Sequence, residues 1–164
     1  MSIRPPGGGP TAHFDTFARD HLPDASLLPT FNFDDVPELG TLPDRLNAAT
    51  FLLDNALPAH GKRPVVHMGS TSWSYTELHK RANQIARVLV EDCGLIPGQR
   101  VLLRAPNTPM MAACWFAVIK AGGISVATMP LLRARELTYI IEKAQISHAL
   151  CDVALMDEMA EADA

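Results

Sequence analysis

Three short apolar runs, spaced so that one helix fits between each neighbouring pair, constrain this chain more than any other feature. Val101-Leu102-Leu103, Ile124-Ser125-Val126-Ala127 and His148-Ala149-Leu150-Cys151 are each of strand length and carry no formal charge. After the first run, Thr108 offers a capping hydroxyl and Pro109 fits a first helical turn, where its missing N–H costs nothing. Met110 to Lys120 is apolar on almost every side, and Gly122-Gly123 stops the expected helix. After the second run, Leu137, Ile140, Ile141 and Ala144 follow the i, i+3, i+4, i+7 rule of an amphipathic helix. Strand, helix, strand, helix, strand with short connections is a βαβαβ unit, whose strands are parallel and whose crossovers are right-handed. The pattern therefore predicts parallel neighbours at 101–103, 124–127 and 148–151, covered by helices at 109–121 and 134–144.

Upstream, Leu42, Leu46, Ala49, Leu53 and Leu57 recur at three- and four-residue steps and predict a helix over 42–57, with Pro43 near its start and Pro58 ending it. Residues 64–75 read as a hairpin: Val65 to Met68, a turn at Gly69-Ser70-Thr71, then Ser72 to Tyr75. Thr76 is the expected N-cap of a helix to about Asp92, buried along Leu78, Ala82, Ile85, Ala86 and Leu89. Gly94 stops that helix, and Pro97-Gly98 turns the chain into the first apolar run. After Cys151, Asp152 can cap a last helix from Val153 to about Glu161. Residues 1–40 are broken by Pro5, Pro6, Pro10, Pro23, Pro29 and Pro37, so they form an irregular arm, with Phe14, Phe17, Phe31 and Phe33 as candidates for contact with the body. The expected organisation is this arm (1–40) and an α/β unit (41–164): the N-terminal portion of a doubly wound, mainly parallel sheet flanked by helices.

Composition excludes several classes. At 48% hydrophobic and 20% charged the chain can build a core, and a net charge of −4 without a basic run argues against nucleic acid. Cys93, Cys114 and Cys151 are far apart with no Cys-x-x-Cys pair, which predicts reduced thiols in a cytoplasmic protein. Residues 1–6 lack the apolar core of a signal peptide. Residues 109–132 carry Lys120 centrally and are interrupted by Gly122-Gly123 and Pro130, so they read as a buried helix feeding a strand and not a membrane span. Gly7-Gly8-Gly9 is not followed by the lysine and hydroxyl of a phosphate loop, and Gly61-Lys62-Arg63 runs into Pro64. The six histidines show no metal-ligand spacing, and His67 and His148 fall within expected strands as structural residues. No Gly-x-Ser-x-Gly elbow is present. Arg133 and Arg135 begin a helix, against its dipole; this fits either a solvated helix start or contact with an anion near the sheet edge.

The residues themselves carry a resemblance. Trp73-Ser74-Tyr75-Thr76-Glu77-Leu78, followed by Arg81-Ala82-Asn83-Gln84 and Ala86, resembles the first signature of the adenylate-forming superfamily. Pro97-Gly98-Gln99-Arg100-Val101, the Ala105-Pro106-Asn107 corner, Ile119-Lys120-Ala121-Gly122-Gly123, and Pro130-Leu131-Leu132 leading to Glu136-Leu137 and Ile140-Ile141 resemble the stretches that follow. Together they cover about 42–157 in family order. Asn47-Ala48-Ala49 with Leu52-Leu53-Asp54 is similar to the CoA ligases for benzoate and 2-aminobenzoate.

The resemblance implies a two-step ligase. A small carboxylic acid attacks ATP, with Mg2+, to give an acyl-adenylate, and CoA then displaces AMP. It implies no catalytic residue here, because the family's phosphate loop, acyl pocket and mobile lysine are absent from these 164 residues. Arg133 and Arg135 are the candidates for cofactor contact that it leaves, and no metal ligand is assigned. The expectation is an N-terminal fragment, inactive alone and prone to homo-oligomerise through an open sheet edge. Alternatives are a fragment of a carrier-protein-loading adenylation domain and a stand-alone α/β binding module.

Overall fold

The computed structural model describes residues 11–29, 36, 42–43 and 45–162. The expectations about Phe31, Phe33 and the glycine run lie outside the described residues. In chain order the elements are α1 (Phe17–Asp20), α2 (Leu57–His60), β1 (Pro64–Met68), β2 (Thr71–Ser74), α3 (Tyr75–Arg87), β3 (Arg100–Arg104), α4 (Pro109–Lys120), β4 (Ile124–Thr128), α5 (Ala134–Ala144), β5 (Ile146–Cys151) and α6 (Met156–Ala162). Among the described residues there are also single 3-10 turns at Ala25–Leu27 and Val153–Leu155, and wide π turns at Thr50–Asp54 and Val88–Asp92.

β3, β4 and β5 form one parallel sheet in the order β4-β3-β5, as the three apolar runs predict. With β4 and β5 on opposite sides of β3, right-handed crossovers send α4 and α5 to opposite faces. The packing agrees. Val101 and Leu103 sit with Val118 of α4 and Leu89, while Arg104, of opposite parity, reaches Met129, Pro130 and Leu132 at the approach to α5. Burial on both faces holds for the whole of β3 but not for the outer strands, where Ala127 and Ala149 are exposed. Among the described residues an outer strand has a neighbour on one side only.

The hairpin forms as expected, with Gly69 in the left-handed region at φ +56°. Val65, Val66 and Trp73 of the hairpin, with Tyr75 of α3, cover a core of Leu53, Leu78, Ala82, Ala113 and Ala117, where α3 crosses α4. Burying each such leucine is worth about 1.5–3 kcal/mol.

Three helix boundaries differ from the sequence reading. The helix expected over 42–57 is not continuous. The Asn47 side chain accepts from Thr50 N at 3.1 Å and donates to Ile119 O at 2.8 Å, so helical structure starts there. Pro58 does not end a helix: it lies in the first turn of α2, where proline costs no hydrogen bond. The cap of α3 is Ser74, two residues earlier than Thr76, because Ser74 and Glu77 close a reciprocal capping box. Thr76 instead donates its hydroxyl to Gly61 O at 2.9 Å, tying α2 to α3. The caps expected at Thr108 and Asp152 are present, accepting from Met111 N and Ala154 N. Among the described residues no helix is long and apolar enough to cross a membrane.

Candidate functional site

Three places among the described residues are candidates for function. The first is the seam between α3, α4 and the turn Thr50–Asp54. Lys120 Nζ donates to Asp54 Oδ1 at 2.6 Å and to Asn83 Oδ1 at 2.5 Å. His79, one turn before Asn83 on α3, ion-pairs with the same Asp54 oxygen. Burial pushes the Asp54 carboxyl upward, but the hydrogen bond and charge of Lys120, the charge of His79 and the Thr50 hydrogen bond outweigh it and hold it below the usual carboxylate range. All of the Lys120 charge is spent inside this cluster. Chemically it is a clamp: two signature stretches, one holding Asn83 and one holding Lys120, meet across the helix crossing.

The second place is the C-terminal edge of the sheet, where β3 and β5 part to opposite crossovers. In open α/β sheets this is where ligands bind. Arg104 ends β3 there at 1% exposure, the most buried charged side chain described. Its guanidinium donates to Met129 O (3.2 Å), Pro130 O (3.1 Å), Leu132 O (2.8 Å) and Leu155 O (3.4 Å). These bonds fix the loop between β4 and α5 against the turn before α6. Cys151, beside it at the end of β5, has its thiol pushed up by burial, so it is not an activated nucleophile.

Arg133 and Arg135, the sequence candidates, lie on this loop at the start of α5. Arg133 is the N-cap residue, and its guanidinium pairs with Glu158 of α6. Glu158 also accepts from Ala134 N at 2.8 Å; that backbone bond, with the Arg133 bond, holds its carboxyl below the usual range. The unfavourable dipole at this helix start is thus offset by a carboxylate from another helix. Arg135, two residues past Arg133, is exposed and outside that pair.

The third place is an open groove of about 330 Å3 between the hairpin and α4, lined mainly by Val66, Met68, Pro109, Met111 and Trp115 with His67 at its rim. It presents an apolar wall without a charged side chain.

The burial of Arg100 and Arg104 escaped the sequence reading, which quoted Arg100 only within a signature stretch and began the strand at Val101. A signal existed: both share parity with Leu102, so a two-residue period across 100–104 places all three on one face. Arg100 is 5% exposed. It donates to Gly98 O, Ala144 O and Gln145 O, and it pairs with Asp15 at 2.6 Å.

Comparison with known proteins follows the same residues. The sequence pattern of the AMP-binding enzyme family matches residues 53–164. Salicyl-AMP ligase / salicyl-S-ArCP synthetase of Mycobacterium tuberculosis is 40% identical over 95 residues, which is 58% of this chain and 14% of that protein. Surfactin synthase subunit 2 of Bacillus subtilis is 37% identical over 92 residues, or 56% of this chain and 2% of that protein. The crystal structure of the anthranilate CoA ligase AuaEII in complex with anthranoyl-AMP superposes with a TM-score of 0.69 at 21% identity, covering 74% of this chain and 23% of that one. The chain thus spans a small part of the length of its relatives. From the family match across the α3–α4 clamp, the sheet and α5, the chain belongs to the AMP-binding enzyme family of adenylate-forming enzymes.

Proposed function

We propose that the chain is the N-terminal part of an AMP-forming acid–CoA ligase acting on an aromatic acid such as benzoate or 2-aminobenzoate, in the cytoplasm. The observation that carries this reading is the clamp. Asn83 and Lys120 come from separate signature stretches yet bond directly, so the resemblance describes a packed structure and not scattered similarity. Free thiols at Cys93, Cys114 and Cys151 support the compartment.

ATP, Mg2+ and CoA are the cofactors this reading assigns to the complete enzyme. The described residues do not fit the triphosphate and its metal. Lys120 is taken by Asp54 and Asn83, Arg100 and Arg104 by backbone carbonyls, and among the described residues no three His, Cys, Asp or Glu side chains converge on a metal position. Adenylation needs such groups for positioning and charge neutralisation, so no step is assigned to this chain's side chains. Arg133 and Arg135 are the residues we assign to CoA contact, which requires the Arg133–Glu158 pair to open. Uncharged outer strands β4 and β5 support self-association of the isolated chain.

A second reading, an adenylation domain that loads a carrier protein, is favoured by the 40% identity to the salicyl-AMP ligase / salicyl-S-ArCP synthetase above. Acid-dependent ATP–pyrophosphate exchange tests the common core. The 164-residue chain is expected to give none with either acid; exchange above background would overturn the assignment of adenylation to residues outside it. In the complete gene product, release of an acyl-CoA supports the ligase reading, and transfer only to a carrier protein supports the second.

A further inference from the structure

The turn at 97–100 holds a segment from outside the family-matched region, which begins at residue 53. Phe14 N and Asp15 N both donate to Pro97 O, each at 3.0 Å. Asp15 Oδ2 meets the Arg100 guanidinium at 2.6 Å, while Asp15 Oδ1 accepts from Phe17 N at 3.0 Å. The Phe17 ring lies 4.6 Å from the same guanidinium. Gly98, at φ +96°, passes so close beneath the segment that an added Cβ would run into the Asp15 carbonyl oxygen.

These contacts form a recognition rule of two adjacent amides on one carbonyl, a carboxylate on a buried arginine, and an aromatic ring two residues on. Each component is complementary to an Asp-x-Phe peptide that turns at its middle residue, as Thr16 does here at φ −96°, ψ 3°. None of residues 11–29 is fully buried, and Phe14 is 81% exposed. We propose that Pro97, Gly98 and Arg100 form a peptide-docking seat for Asp-x-Phe, filled in this chain by its own residues 13–17 as a reversible strap. The inference is independent of the adenylation reading, because it uses no family residue in a catalytic role.

The test uses the full chain carrying Asp15→Ala and Phe17→Ala, which vacates the seat, and a fluorescent peptide of residues 11–20. Saturable binding to this variant is expected, with binding to the unmodified chain at least roughly tenfold weaker because the tethered arm competes at high effective concentration. A peptide bearing the same two substitutions should not bind. Equal binding to both chains, or none to the variant, overturns the proposal. Hydrogen exchange on the unmodified chain decides it even if the variant misfolds. Slow exchange at the Phe14 and Asp15 amides is expected, and exchange at the free-peptide rate overturns the docked strap.

Discussion

Replacing Arg104 by leucine removes the donors that hold the loop between β4 and α5. Hydrogen bonds from a charged group contribute about 1.5–3 kcal/mol each. Three of the four Arg104 bonds are 3.2 Å or shorter, which sets a ceiling of roughly 5–9 kcal/mol by the same principle. Two effects lower it. The guanidinium recovers its hydration when the chain unfolds, a cost leucine does not carry. Met129 and Leu131 are 62% and 81% exposed, so water can reach carbonyls of this loop once the arginine is gone. A net loss of about 2–4 kcal/mol follows. Urea unfolding followed by circular dichroism measures it, and an unchanged denaturant slope would show that the native fold persists. Arg104→Lys should recover less than half, because an ammonium cannot span carbonyls from residues 129, 130, 132 and 155 in the geometry of a planar fork. A leucine variant within about 0.5 kcal/mol of the parent, the level of an ordinary surface change, would refute the reasoning.

Lys120→Met leaves Asp54 and Asn83 without their shared donor and should cost about 1.5–3 kcal/mol; addition of Asp54→Leu should restore part of it, which a double-mutant cycle reads directly. Gly98→Ala forces a side chain into the left-handed region at a cost of about 1–2 kcal/mol and displaces the arm, so limited proteolysis should cut near Arg19 faster than in the parent. The carboxyls of Asp15, held down chiefly by its hydrogen bond to Arg100, and of Asp54 are depressed in the folded state. Their contribution is complete above the unfolded value of about 4 and disappears as pH falls through the lower folded values. Stability should therefore fall below about pH 4 through these groups, less steeply in Asp15→Asn and Asp54→Asn; unchanged acid slopes in both variants would contradict the assignment.

The sheet was legible in the sequence because its information is local. The runs at β3, β4 and β5, the Thr108-Pro109 start of α4 and the stripe of α5 each declare themselves within a dozen residues. The features that were not legible depend on distant partners. Asn47 starts a helical turn partly because Ile119 O lies beside it, and no periodicity across 42–57 contains that fact. Arg100 and Arg104 are buried because carbonyls from 129–132 and 144–145 come back to them. The roles of Ser74 and Thr76 were exchanged for a different reason: both are good caps, and the Gly61 carbonyl takes the Thr76 hydroxyl. At the candidate site the oddity of Arg133 against a helix dipole was visible, but its resolution by Glu158 from α6 was not.

The strand order β4-β3-β5 also sets the sequence of events during synthesis. β3 is the central strand, yet both of its neighbours are encoded after it. The hairpin and α3 leave the ribosome first, but the core they share closes only when Ala113 and Ala117 of α4 follow. β3 then waits about twenty residues for β4 and about forty for β5, which at about 5–20 residues per second is on the order of one to several seconds. Until β4 emerges, its uncharged Val101-Leu102-Leu103 segment has two unpaired edges, and until β5 emerges it has one, which leaves it available to chaperones and to misassembly.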